Sequence, residues 1–93
     1  MFVYIMTNQY RGTLYVGVTN DLVRRVTEHR EGIIEGFTKI HGLKRLVYFA
    51  EVEEPIEAIV HEKRLKKWRR EWKISLIEER NLHWDDLYNY ILS

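Results

Sequence analysis

The sequence predicts an α/β domain of the α+β type, with three short strands and intervening helices in the order β-β-α-β-α-α, closed by a short C-terminal helix. Three observations carry this. Two apolar runs, Phe2–Met6 and Leu14–Val18, flank a polar loop with Gly12 near its end. A third apolar run, Arg45–Val52, follows a glycine-punctuated connection. Around and after these runs, apolar residues recur at helical spacing, bounded by residues that favour helix starts and stops.

Phe2–Met6 is rich in aromatic and β-branched residues and is apolar on both alternating faces, which suits a central strand. Thr7–Thr13 reads as a hairpin loop leading into the second strand, Leu14–Val18. Tyr4 and Tyr15 face each other across this pair if the loop sets that register; an odd loop or a bulge would move them out of line.

Thr19, Asn20 and Asp21 offer side-chain oxygens to the free N–H groups of a helix over Asp21–Glu31. Leu22, Val26 and His29 recur there at i, i+4 and i+7 and form the stripe that packs on the sheet. Arg25 and His29, one turn apart, share a flank of that stripe and are placed to look into a cleft. Gly32–Gly42 reads as a connection with one short helical turn; Phe37, Thr38, Lys39 and His41 lie in it without a legible role.

After the third strand, Pro55 suits the first turn of a helix running to about Trp68, with Glu53, Glu54 and Glu57 at the favourable end of its dipole. Ala58, Glu62 and Leu65 fall at i, i+4 and i+7 next to Ile59, so Glu62 lies inside the apolar stripe. A carboxylate taken out of water without a partner costs several kcal/mol. Two readings follow: a structural salt bridge to Arg25 or another base, or a metal ligand. The run RREWKISLIEERN predicts a further helix with Trp72, Leu76 and Ile77 inward, ended by Asn81 or the residues after it. His83–Leu92 is expected as the short terminal helix, with Trp84, Leu87, Tyr88 and Ile91 as its apolar contacts. The tryptophans are expected in core or inter-helix packing.

With 93 residues, 45% of them apolar and 13% aromatic, the chain has room for a single domain, residues 1–93, around one modest core. The absence of cysteine excludes disulfides and thiolate metal sites. The N-terminal run has no basic flank and is too short for a signal peptide or membrane span, so a cytoplasmic location without membrane association is expected. Fifteen basic residues against fourteen acidic leave a net charge of +1, so the arrangement of charge matters more than its sum. In Lys63–Lys73, KRLKKWRREWK, seven residues are basic and one acidic. Lys63, Lys66, Lys67, Arg69, Arg70 and Lys73 are either a phosphate-binding surface, with an indole on which bases can stack, or an ordinary solvated helix face.

Val3-Tyr4-Ile5, then Tyr15-Val16-Gly17, then Arg25 eight residues beyond the glycine, and Glu62 on a later helix together resemble the GIY-YIG nuclease superfamily. The wider context, TLYVGVTNDLVRRVTEHREG followed by EAIVHEKRLKKWRREWK, is similar in particular to its small stand-alone bacterial members. The resemblance covers nearly the whole chain. It departs in VYI where the family name has GIY, in Val18 where some relatives have a lysine, and in lacking a clear match to an asparagine that some carry after the glutamate.

The resemblance implies a small three-stranded antiparallel sheet flanked by helices, and an endonuclease that hydrolyses DNA phosphodiester bonds at a single Mg²⁺ or Mn²⁺. Carried over by position, Tyr4 is the general base or orients the attacking water, and Tyr15 supports water or phosphate positioning. Arg25 binds the scissile phosphate, and Glu62 binds the metal. His29 stands where relatives have tyrosine or histidine. Without an attached DNA-binding domain, selectivity for flap, branched or single-stranded DNA in repair or processing is implied. RNA, a specificity-conferring partner protein, and a monomer or weak homodimer remain compatible. The alternative is a nucleic-acid-binding module that keeps the fold without cutting.

Overall fold

The computed structural model describes residues 1–93. Its elements are β1 (Phe2–Thr7), β2 (Leu14–Thr19), α1 (Leu22–Glu31), α2 (Phe37–His41), β3 (Arg45–Glu51), α3 (Pro55–Lys67), α4 (Arg70–Arg80) and α5 (Tyr88–Leu92). The sheet is antiparallel in the order β2-β1-β3. β1 is therefore central, as its two apolar faces require, and Val3 to Thr7 are all buried.

The two faces of β1 feed two cores. Val3 and Ile5 pack with Val16, with Ala58 and Leu65 of α3, with Ile77 of α4 and with Trp84. Tyr4 and Met6 turn the other way, onto Leu22 and Val26 of α1, with Leu43 and Leu46 beside them. The β1–β3 register shifts between Ile5 and Met6, whose partners are Tyr48 and Leu46, so Val47 is an extra residue in β3. Val47 and Tyr48 consequently join the same core cluster, the local effect of a bulge.

Tyr4 pairs with Gly17, and Tyr15 with Met6. The two tyrosines are thus diagonal neighbours on one face rather than directly opposed. α1 begins where expected: Asp21 caps it, its side chain accepting from the Arg24 N–H, and Leu22, Val26 and His29 are its buried residues. α2 supplies the short helical turn between the glycines.

Three packing expectations are corrected. Ile59 is 41% exposed, so the buried stripe of α3 narrows to Ala58 and Leu65. Trp72 is 52% exposed, because the inward stripe of α4 runs through Ile74 and Ile77 and Trp72 falls to its side; it meets Trp68 edge-on instead. The terminal helix covers only Tyr88–Leu92. The residues before it are held by side chains: the Asn81 amide donates to the Val47 and Asp85 carbonyls and its oxygen accepts from the Asp85 N–H, while Asp86 accepts from the Leu46 and Tyr88 N–H groups. This turn puts fully buried Trp84 in the left-handed region at φ 58°.

The β1–β2 hairpin is tied to α4. Arg11 makes two 3.0 Å bonds to the Glu78 carboxylate, Arg70 donates to the Arg11 and Gly12 carbonyls, and the Trp84 indole donates to Glu78 at 2.8 Å. No helix is long and apolar enough to cross a membrane.

Candidate active site

The central strand delivers Tyr4 to the face covered by α1, and the register places its ring across Gly17. A Cβ at position 17 would lie 2.5 Å from both Cζ and the hydroxyl oxygen of Tyr4, so only glycine leaves room for this ring. The Tyr4 hydroxyl is 2.9 Å from Nε2 of His29, and Nδ1 of His29 is 3.1 Å from Oγ1 of Thr38 on α2. All three residues are buried. Either neutral tautomer satisfies the chain. With the proton on Nδ1, His29 donates to Thr38 and accepts from Tyr4; with the proton on Nε2, both directions reverse.

Burial pushes the Tyr4 phenol up to about 12; the charge of Tyr15 adds to the rise, the Arg25 guanidinium opposes it, and Glu62 raises it slightly further. Burial, reinforced by the positive charge of Arg25 and opposed by Glu28, pushes His29 down to about 4. Both groups are therefore neutral at pH 7. The rings of Tyr15 and His29 pack against this phenol, and the charges of Arg25 and Glu62 also act on it.

Tyr15 lies on the edge strand β2, its ring centroid 6.3 Å from that of Tyr4 and 5.7 Å from that of His29, and Phe37 stacks on it at 6.5 Å. Arg25 is 40% exposed, with Glu28 as its carboxylate neighbour at 3.5 Å. The Glu62 side chain is 12% exposed, and its oxygen lies 2.9 Å from Nζ of Lys66, one turn further along α3. The same ammonium stands 5.9 Å from the centroid of the Tyr15 ring. Of the bases that could pair with Glu62, it is Lys66 and not Arg25 that does so; Arg25 pairs with Glu28, and each pair lies within a single helix.

Tyr4, Tyr15, Arg25, His29 and Glu62 thus come together although they derive from two strands and two helices. The basic run divides. Lys63 and Lys67 are exposed on α3, and the Arg69 guanidinium lies 5.7 Å from the exposed Trp72 ring. Arg70 is spent on the hairpin carbonyls, Lys73 donates to the Lys66 carbonyl, and Lys66 sits in the site. Three roles are not read from the sequence: Lys66 as the partner of Glu62, Gly17 as the space for the Tyr4 ring, and Thr38 as the partner of His29. Lys66 was discoverable from its i+4 relation to Glu62, and Gly17 from its place opposite a buried tyrosine. Thr38 lies in a segment with no periodicity, and nothing in the sequence links it to His29.

No group of three or more acidic or histidine side chains converges anywhere. A divalent ion here would have one carboxylate, Glu62. This is a hard oxygen donor, and it suits Mg²⁺ or Mn²⁺ if water and substrate phosphate complete the shell. The close approach of Lys66 indicates that the Glu62 carboxylate accepts a cation in this setting.

The family model described as the GIY-YIG catalytic domain matches residues 1–75. UPF0213 proteins of Staphylococcus aureus strains Mu3, Mu50 and N315 are each 37% identical to the chain over 79 residues, covering 85% of this chain and 95% of theirs. No solved structure gives a significant match.

Proposed function

Because the chain belongs to the GIY-YIG family, a family of nucleases that generally use divalent metal ions, we propose that residues 1–93 act as one metal-dependent endonuclease domain cutting DNA phosphodiester bonds. Its substrates in this reading are flap, branched or single-stranded DNA, in repair or processing. The observation that carries the reading is the cluster in which His29 bonds the buried Tyr4 hydroxyl, the Tyr15 ring packs beside Tyr4, and Lys66 links that ring to Glu62.

In this reading Arg25, half-exposed and paired only with Glu28 of its own helix, takes the scissile phosphate. A fixed guanidinium beside a phosphodiester stabilises the negative charge gathered in the transition state. Glu62 would hold Mg²⁺ or Mn²⁺, which supplies charge neutralisation and a more acidic water. With a pKa near 12, Tyr4 is a phenol in the free protein, so it orients the attacking water through a hydroxyl whose direction His29 sets. Thr38 holds the ring of His29 from behind. Tyr15, packed against Tyr4 and His29, supports the phosphate. Lys63, Lys67 and Arg69, exposed on one side of α3 and at the start of α4, hold the DNA backbone, with Trp72 available to stack on an unpaired base.

The test is cleavage of single-stranded, duplex, flap and branched DNA with Mg²⁺ or Mn²⁺ by the wild type, Glu62→Ala and Arg25→Ala. Metal-dependent cleavage that both substitutions abolish is the expected outcome. Binding that weakens steeply with salt, equal in all three proteins and without cleavage, would instead identify a nucleic-acid-binding module.

A further inference from the structure

Within the nuclease reading, on which this inference rests, Lys66 occupies an unexpected position. Its ammonium is 2.9 Å from Glu62 and faces the Tyr15 ring, which puts it on the carboxylate assigned to the divalent ion. The Glu62 side chain is only 12% exposed, whereas Lys66 is 48% exposed and carries its charge on a flexible four-carbon stem. A hydrated divalent ion and an ammonium cannot share that carboxylate without strong like-charge repulsion at short range. One must leave, and only the lysine can swing outward.

We propose that Lys66 is the resident cation of Glu62 in the DNA-free protein, and that it gives up the carboxylate when a DNA phosphate offers it another anion, so that metal and DNA bind cooperatively. Such coupling is reciprocal: DNA tightens metal binding by the factor by which metal tightens DNA binding. Lys66 is then a positioning residue that keeps the metal site closed until substrate arrives. The basic run of α3 thereby divides into residues that hold DNA and one that exchanges partners on its arrival.

The experiment measures Mn²⁺ affinity from the electron paramagnetic resonance of free Mn²⁺, with and without a phosphorothioate single-stranded oligonucleotide. Wild type, Lys66→Ala, Lys66→Arg and Lys67→Ala are compared. Lys67 is an exposed residue of the same helix, so its substitution makes the same change in net charge without touching the pair. Without DNA, Lys66→Ala is expected to bind Mn²⁺ about five- to tenfold more tightly than wild type, the size of effect an ion pair of this kind exerts. Lys67→Ala should change affinity less than about twofold, and Lys66→Arg should restore the weak binding. The oligonucleotide should tighten Mn²⁺ binding by wild type by a larger factor than by Lys66→Ala, where only the phosphate's own ligation of the ion remains. An affinity of Lys66→Ala equal to that of Lys67→Ala, or equal oligonucleotide coupling in both, overturns the proposal. Failure of the wild type to cut any DNA would count against the nuclease reading instead, and the Mn²⁺ comparison would still decide the role of Lys66.

Discussion

Tyr4, His29 and Thr38 on one side, and Arg25, Glu62 and Lys66 on the other, belong to one site and are held in opposite ways. The first three are buried, neutral and joined in a single hydrogen-bonded chain from β1 through α1 to α2. The other three are charged, partly exposed, and make their ion pairs within their own helices. The contrast separates two tasks. In the proposed mechanism a water-orienting hydroxyl must be fixed before the reaction, whereas groups that would receive phosphate and metal must be free to exchange partners. Substitution in the charged half should therefore cost activity, and substitution in the buried half should cost stability as well.

The largest expected effect tests the charged half. Glu62→Gln should lower cleavage by about 10²–10³-fold, while the urea midpoint shifts by less than the equivalent of about 1 kcal/mol, as for other partly exposed pairs. A large loss of stability would break the contrast. Next, Gly17→Ala drives a methyl group into the Tyr4 ring and should destabilise by about 1–3 kcal/mol, the usual cost of overpacking. A fluorescence-monitored urea melt measures it. An unchanged melt would mean that the Tyr4 ring is not pinned as described.

The pH dependence of stability probes the buried half more finely. His29 resists protonation in the fold down to about 4, against an ordinary value of 6.5. Between these values the unfolded chain takes up a proton that the folded one refuses. The contribution of His29 is thus complete above pH 6.5 and is lost progressively as pH falls toward 4. Wild type should lose more stability over that interval than His29→Gln, and parallel curves would show that the imidazole is not buried neutral. The smallest effect belongs to Thr38→Val, which keeps the shape but removes the partner of Nδ1; about 1 kcal/mol is expected in the same melt.

The strands and main helices were legible because their signals are local. Alternating or continuous apolar runs mark β1, β2 and β3, and the stripe of Leu22, Val26 and His29 marks α1. Tyr4, Tyr15, Arg25, His29 and Glu62 could be named from motif order, but their contacts could not. Which base pairs with Glu62 depends on side-chain reach, and an i+4 lysine on the same helix outcompetes an arginine on another. The start of α5 was misread because the apolar spacing of Trp84, Leu87 and Tyr88 fits a helix, whereas the side-chain bonds of Asn81 and Asp86 hold a turn there. Trp72 was misassigned for a related reason: hydrophobicity says that an indole can be buried, not which side of α4 meets the core.

The clamp between the hairpin and α4 also bears on when the fold can complete during synthesis. Arg11 and Glu78 are 67 residues apart, and Trp84 reaches the same carboxylate. The N-terminal hairpin is thus fastened by residues that lie far along the chain from it. Contacts of such sequence separation close late, because the entropy of a long loop must be overcome first. A nascent chain that has exposed Tyr4, Tyr15, Arg25 and Glu62 would still have an unpinned hairpin until the turn at Trp84 has been made.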